Sequence, residues 1–446
     1  MLHKLKFYVR RARELAKQGE LLDATVARAR SWRLERRFNT QQTSAERTYR
    51  EYSAALPDGL SARRITLRLS VPPLPVSPLF AFSDHVADDS GRMTGTVLAV
   101  AVGGFAISRD LGRSWSHVRV KGHGDHRFVH LKSIGGGELL AQASPPESEG
   151  SKTAPMDLLV LDERGEVLAA HKALSQRWHG CRAVDIAGGT LMFAEYPSNM
   201  AVNGRRPTDC RVLRSRDRGR SWQTVFEQSG RQIRHFHFLQ ARPGVTGEWW
   251  LSSGDLAHES RIWRSRDDGD SWLDVTAGLP KKIPVGGALF EHGMFRLTDL
   301  NWLGEEIVWA TDDVLASVDP PGSGVFRSRI ADVLAPQLVG RGKWHIRSIV
   351  DIGDFYLFLS QRSNKPNPPP EDRKPGVYLM PKTAAAGAPA LVHLFDLDTY
   401  PSRAKSGFTF SKASRTAVDG TFFTFRSSED VFPAGHKMLE WNVSLE

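Results

Sequence analysis

Two cysteines in 446 residues, Cys181 and Cys210, are too few for a disulfide framework, so the chain does not depend on an oxidising compartment and reduced thiols are expected. No apolar run approaches the roughly 20 residues that span a bilayer. The first residues also lack the apolar segment and small-residue cleavage site of a secretory signal. The expected compartment is therefore the cytoplasm. A Gly-rich phosphate loop, a nucleophile elbow and a cysteine-based centre are all missing, and no cofactor is expected. Acidic residues are sparse in one place only. Residues 1–64 hold 15 Lys and Arg against 7 Asp and Glu, a surplus of 8 that leaves +2 of the net +10 for the rest of the chain. Overall basicity thus says little about the main body, and no nucleic-acid partner is expected.

Long helical periodicity is scarce beyond that segment. With 39 Gly and 25 Pro, this favours one repetitive all-β body. The repeat is explicit: Ser108-Arg-Asp-Leu-Gly-Arg-Ser-Trp115 returns as Ser215-Arg-Asp-Arg-Gly-Arg-Ser-Trp222 and as Ser265-Arg-Asp-Asp-Gly-Asp-Ser-Trp272, each time after an apolar run. Its chemistry is that of a hairpin turn. Ser108, Asp110, Ser215, Asp217, Ser265 and Asp267 can bond nearby backbone N–H groups. Gly112, Gly219 and Gly269 supply a backbone conformation closed to other residues, and Trp115, Trp222 and Trp272 cover the turn. These octapeptides resemble the Asp-box motif of bacterial sialidases and related BNR-repeat β-propellers. The resemblance implies that they are fold-stabilising turns and not the active site.

The strands before the boxes have relatives elsewhere: 105–108, 158–161, 212–215, 262–265, 325–328, 377–380 and 437–440, spaced 50 to 63 residues apart. A second series of seven precedes it, at 97–100, 139–142, 191–194, 249–252, 307–310, 356–359 and 422–425. Both counts predict a seven-bladed β-propeller over residues 63–446, with six blades, as in sialidases themselves, as the alternative. Residues 441–445 are the candidate outer strand of the last blade, and Ile65–Leu69 the candidate strand to close the ring. The Pro-rich stretches at 145–155 and 364–375 are expected to be exposed loops.

Residues 1–62 are predicted to form a basic amphipathic helical extension. Leu2, Leu5, Val9, Ala12 and Leu15 recur at helical spacing among Lys and Arg. It fits an arm packed on the propeller or a second subunit, or, through residues 1–18, a helix on the anionic inner face of the cytoplasmic membrane.

Five inner strands begin with arginine: Arg127, Arg182, Arg234, Arg296 and Arg347. In four of them His130, Asp185, His237 or Asp299 follows three residues on. Inner strands of a propeller run one way, so these arginines should ring one mouth of the channel, joined there by Glu195, Tyr196, Asp255 and Asp312 from the ends of the second strands. The planar guanidinium fork suits a carboxylate or sulfate, so the expected partner is an acidic glycan or oligosaccharide, bound by Arg127, Arg182, Arg234, His235, Arg296 and Arg347. The competing expectation is that each arginine simply bonds carboxylates of a neighbouring blade.

Sialidase kinship implies an Arg-Ile-Pro motif, a carboxylate-binding Arg triad, an acid Asp and a Tyr-Glu pair. Arg64-Ile-Thr66 departs from the first, and strict sialidase activity is not expected. Two functions stand open. In one, a carbohydrate-active enzyme cleaves or modifies an acidic bacterial polysaccharide, with Glu195 and Asp255 as paired carboxylates or with His237 or Tyr196 as a lyase base. In the other, a non-catalytic glycan-binding or assembly module serves polysaccharide biosynthesis. No metal is expected: His123-Gly-Asp-His126 lies in a loop, and His235 and His237 share a strand face but lack an identifiable third ligand.

Overall fold

The computed structural model describes residues 50–70, 81–87, 93–146, 154–176, 182–197, 208–285, 287–312, 323–332, 335–342, 345–360, 375–383, 390–397, 415–425 and 438–446. β1 (Arg50–Ala55) and β2 (Arg64–Ser70) come first. Blade one is β3 (Ala81–Ala87), β4 (Met93–Ala101), β5 (Gly104–Ser108) and β6 (Ser116–Arg119); blade two is β7 (Arg127–Ser133), β8 (Glu138–Ser144), β9 (Met156–Asp162) and β10 (Val167–Ser175). Blade three is β11 (Val184–Ala187), β12 (Thr190–Ala194), β13 (Cys210–Ser215) and β14 (Gln223–Gln228). Blade four is β15 (Phe236–Ala241), β16 (Trp249–Ser253), β17 (Arg261–Ser265) and β18 (Leu273–Asp274). A hairpin of β19 (Lys282–Val285) and β20 (Ala288–Glu291) intervenes. Blade five follows as β21 (Leu297–Leu303), β22 (Glu306–Thr311), β23 (Ser323–Arg329) and β24 (Gln337–Gly342), and blade six as β25 (Ile346–Asp351), β26 (Phe355–Ser360), β27 (Gly376–Pro381) and β28 (Val392–Asp396).

Blade seven joins the two ends of the chain: β29 (Thr421–Phe425) and β30 (Met438–Leu445) form its inner half, and β2 and β1 its outer half. β2 and β30 pair from Ile65↔Leu445 to Ser70↔Glu440. The fold is thus an all-β propeller of seven four-stranded antiparallel sheets, six of them continuous in sequence. Closure corrects two expectations. Phe422–Phe425 is the innermost strand of its blade and not the second, and residues 441–445 continue β30 and are no separate outer strand; Ile65–Leu69 closes the ring as expected, in the third place. The outer place belongs to Arg50–Ala55, which was assigned to the helical extension. Among the described residues of that extension no helix is found, residues 56–62 holding a turn; residues 1–49 lie outside the described residues, as do Cys181 and most of both Pro-rich stretches. Among the described residues no helix is long and apolar enough to cross a membrane.

Burial falls from the centre outward. β15 and β16 are buried at every residue, whereas β6, β10 and β14 alternate or face solvent. An inner strand is packed on both faces by the neighbouring blades and therefore reads as a continuous apolar run. Trp249 and Trp250 show the consequence. Adjacent strand residues point to opposite faces, so Trp249 enters the core shared with Met192 and Val212 of blade three, while Trp250 enters the core shared with Phe295 and Trp309 towards blade five.

The three octapeptides form turns of one design. Asp110 Oδ1 accepts from Ser108 Oγ at 2.8 Å and from Ser114 N at 2.8 Å, Gly112 N donates to Ser108 Oγ at 2.7 Å, and Trp115 Nε1 donates to Gly112 O at 2.9 Å. Asp217 and Asp267 repeat the pattern at 2.7 and 2.8 Å to Ser215 and Ser265. The glycines are required twice over. Gly112, Gly219 and Gly269 have φ of 82°, 84° and 87°, and a Cβ on them would meet Phe423 at 2.8 Å, Val160 at 2.8 Å and Met192 at 2.6 Å. Each of those contacts belongs to the preceding blade, so the turn also seals a blade interface.

Candidate functional site

At the opposite end of the ring the inner strands begin and the second strands finish. Arg234 and His235 lead into β15, and a register shift between Phe236 and Phe238 places His237 in a bulge, the kind of irregularity that re-aims a side chain. Asp255 follows β16 and precedes a short 3-10 turn, Ala257–Glu259. Arg296 leads into β21 of the next blade. Gly254 makes room for it: a Cβ there would lie 3.1 Å from Arg296 Cγ.

These groups converge on one carboxylate. Asp255 receives Arg234 Nη1 at 2.5 Å and Arg296 Nη2 at 3.0 Å, and lies 3.3 Å from His235 Nε2 and 3.6 Å from His237 Nε2. Tyr196 stacks on His235, with ring centroids 3.6 Å apart at 22°, and His235 Nδ1 donates to Pro197 O at 3.3 Å. Behind Arg296, Asp312 stands 3.7 Å from its guanidinium and 3.4 Å from His345 Nδ1. Burial lowers the His235 pKa to about 4, so the ring is neutral near pH 7. Burial works against the charge on Asp255, but the polar groups of His235 and His237 outweigh it and hold the carboxyl well below the usual carboxylate range. His235, His237 and Asp255 offer ligand atoms within 4.8 Å of one another and are the group among the described residues that could hold a metal ion. The sequence shows the two histidines but not the aspartate that joins them, because 18 residues and a strand reversal separate His237 from Asp255.

The other nominated residues are dispersed. Glu195 is fully buried, with its carboxylate taken by Arg211 at 2.7 and 3.0 Å and by the backbone N of Gln176 at 2.7 Å. That turns it from the mouth, while its neighbour Tyr196 stays there, as alternate strand residues must. Arg182 is buried in an ion pair with Asp299 and donates to Ile349 O at 3.1 Å, so its side chain crosses from blade three to blades five and six. Arg127 is exposed at the start of β7. Arg347 lies in β25, with its side chain outside the described residues. Among the described side chains the ring of arginines therefore reduces to a pair, Arg234 and Arg296. Arg182 does bond a carboxylate of another blade, but its partner Asp299 lies two blades away and not in the neighbouring one.

The channel itself is filled. Lys132 of blade two lies 2.9 Å from Asp84 of blade one and 4.0 Å from Asp185 of blade three. Arg415, just before β29, reaches Asp185 at 3.5 Å and bonds Gln240. Lys132, Asp84 and Gln240 are buried. Buried charges are stable only when paired in this way.

No protein-family model matches the chain, and no curated protein matches it. Among solved structures it is similar to YCF48 from Cyanidioschyzon merolae, at 11% identity over 84% of this chain and 98% of that one, with a TM-score of 0.43. It is likewise similar to the Neurospora crassa Pan2 WD40 domain, at 11% identity over 86% and 97%, TM-score 0.43. A chain of a mitotic checkpoint complex gives 10% identity over 82% and 90%, TM-score 0.46. At such identities the likeness concerns fold alone.

Proposed function

We propose that the protein is a recognition propeller that binds an acidic glycan at the mouth formed by blades three to five. The observation that carries this is the convergence of Arg234 and Arg296, from adjacent blades, beside the stacked rings of Tyr196 and His235. Two guanidinium forks suit a sugar carboxylate or sulfate, and an aromatic face suits the apolar side of a pyranose. The Arg234 side chain is 30% exposed and so remains reachable from solvent.

Binding is favoured over hydrolysis by the state of the carboxylates. A glycosidase needs two that face the same bond, one of them protonated, whereas Glu195 is spent on Arg211 and Asp255 is held ionised. The three Ser-x-Asp-x-Gly-x-Ser-Trp turns resemble those of sialidase-like propellers, and a carboxylate layout that departs from a hydrolase fits use of such a fold for recognition. The basic segment 1–18 would hold such a module at the anionic inner face of the cytoplasmic membrane, where polysaccharides are assembled.

Calorimetric titration with uronate- and sialate-bearing oligosaccharides tests the reading. Wild type should bind, Arg234→Gln should lose at least about tenfold in affinity, and Arg261→Gln, whose exposed side chain pairs with Asp274 of β18 and not with Asp255, should not. Binding that is absent, or equal in wild type and Arg234→Gln, would remove the proposal. Co-sedimentation with phosphatidylserine vesicles, lost on deletion of residues 1–18, tests the membrane part separately.

A further inference from the structure

The geometry points to a divalent transition-metal site, of the zinc class, formed by His235 and His237 on β15 and by Asp255 after β16. Two imidazoles and one carboxylate are the ligand set that leaves a tetrahedral ion one position for water or for an oxygen of a bound molecule. An ion about 2.0–2.1 Å from its ligands puts neighbouring ligand atoms about 3.3–3.4 Å apart. Here Asp255 Oδ2 is 3.3 Å from His235 Nε2 and Asp255 Oδ1 is 3.6 Å from His237 Nε2.

A second observation concerns the tautomer. The Nδ1–H of His235 is committed to Pro197 O, an arrangement that orients metal-binding histidines by their far nitrogen. Nε2 of His235, by contrast, is buried without a hydrogen-bond partner 3.3 Å from the Asp255 carboxylate, where a bound cation would satisfy both. The site is also rigid. The bulge in β15 aims both imidazoles to one side, Tyr196 backs His235, and Arg234 and Arg296 fix the carboxylate from outside.

Those arginines set a condition on the ligand. With Asp255 and with Asp312, 3.7 Å from Arg296, they leave the cluster neutral, and a divalent ion would raise it to +2, which an anionic oxygen in the fourth position partly offsets. The metal should therefore bind more tightly when a carboxylate ligand is present, and the carboxylate more tightly with the metal, since such coupling is reciprocal. This last link rests on the acidic-glycan proposal; the three-ligand site does not.

The test uses the full chain, stripped with a chelator and dialysed. Titration with Zn2+ followed by calorimetry, and with Co2+ followed by the visible bands of a tetrahedral ion, should give one equivalent per chain. His237→Ala and His235→Gln should each weaken binding by at least about 100-fold, more than the loss of an outer partner of a ligand. The pair His123→Ala and His126→Ala, in the other histidine-rich loop, should bind as wild type does. Urea unfolding of each variant without metal verifies that it is folded, and His235→Gln keeps the test open should His237→Ala unfold. Wild type that binds neither ion stoichiometrically, or binding lost with His123 and His126 but kept without His237, would overturn the site. A chain that takes up Zn2+ but binds no acidic oligosaccharide, with or without the metal, would sink the glycan proposal alone. Oligosaccharide bound equally with and without chelator, by a chain that takes up no Zn2+, would sink the metal site alone.

Discussion

The two ends of the ring are built on opposite plans. At one end the side chains of the Ser-Asp-Ser core of each octapeptide turn satisfy one another. Every side-chain hydrogen bond of Ser108, Asp110 and Ser114 spans four residues or fewer, and the same bonds recur around Asp217 and Asp267 with nearly the same lengths. At the other end nothing repeats. Asp255 gathers Arg234, 21 residues away, and Arg296, 41 residues away, while Arg182 reaches Asp299 across the channel. Local chemistry yields interchangeable copies that hold blades together. Non-local chemistry yields one singular cluster, and that is where recognition is proposed.

The largest test of this contrast is Arg182→Ala. It would leave Asp299 buried without its cation and should lower stability by about 3–5 kcal/mol in urea unfolding, while Arg182→Met with Asp299→Leu should recover most of the loss. A neutral Arg182→Ala would show that the channel pairs do not hold the ring. Next comes Gly219→Ala, where a positive φ and the contact with Val160 act together, for an expected loss of about 2–3 kcal/mol. Gly189→Ala has the same φ of 84° but nothing within 4 Å of its Cβ, so about 1 kcal/mol is expected there. Equal losses would mean that blade contact adds nothing.

Asp110→Ala, Asp217→Ala and Asp267→Ala should each cost about 1–2 kcal/mol and agree to within about 0.5 kcal/mol, since each removes the same set of bonds. Unequal values from thermal melts would break the claim of interchangeable turns. The smallest effect is in pH. Burial lowers the His85 pKa to about 4, so the folded ring stays neutral where the unfolded one binds a proton; stability is full above about pH 6.5 and declines as pH falls towards 4. The hydrogen bonds from Ser114 lower the Asp110 pKa to about 2, so its contribution is full above about pH 3.9 and is lost as pH falls towards 2. His85→Leu should shallow the upper window, leaving the share that His235 contributes there, and leave the lower one, which urea midpoints between pH 7 and 3 would show.

The strand series was legible because both counts use local signals, an apolar run followed by a turn, and both give seven. The count erred where the chain ends meet: Phe422–Phe425 looks like any second strand, and only pairing with β30 makes it innermost. Arg50–Ala55 reads as part of a basic helical segment because its strand character comes from its partner β2. The site was legible in its members but not in its partnerships. Glu195 and Tyr196 looked equivalent, yet one is buried on Arg211 and the other stacks on His235. His235 and His237 were visible as a pair and Asp255 as an acid at the same mouth, but not that the three meet.

The sequence by itself determined the repeat, the number of blades and the chemistry of each octapeptide turn, because backbone conformation and short-range hydrogen bonds depend on neighbours in the chain. Tertiary structure alone decided which arginine meets which carboxylate, how the ring closes, and that two histidines and an aspartate share one small space. Those contacts join residues from different strands or blades, and their geometry is set by how the sheets pack, which no local pattern records.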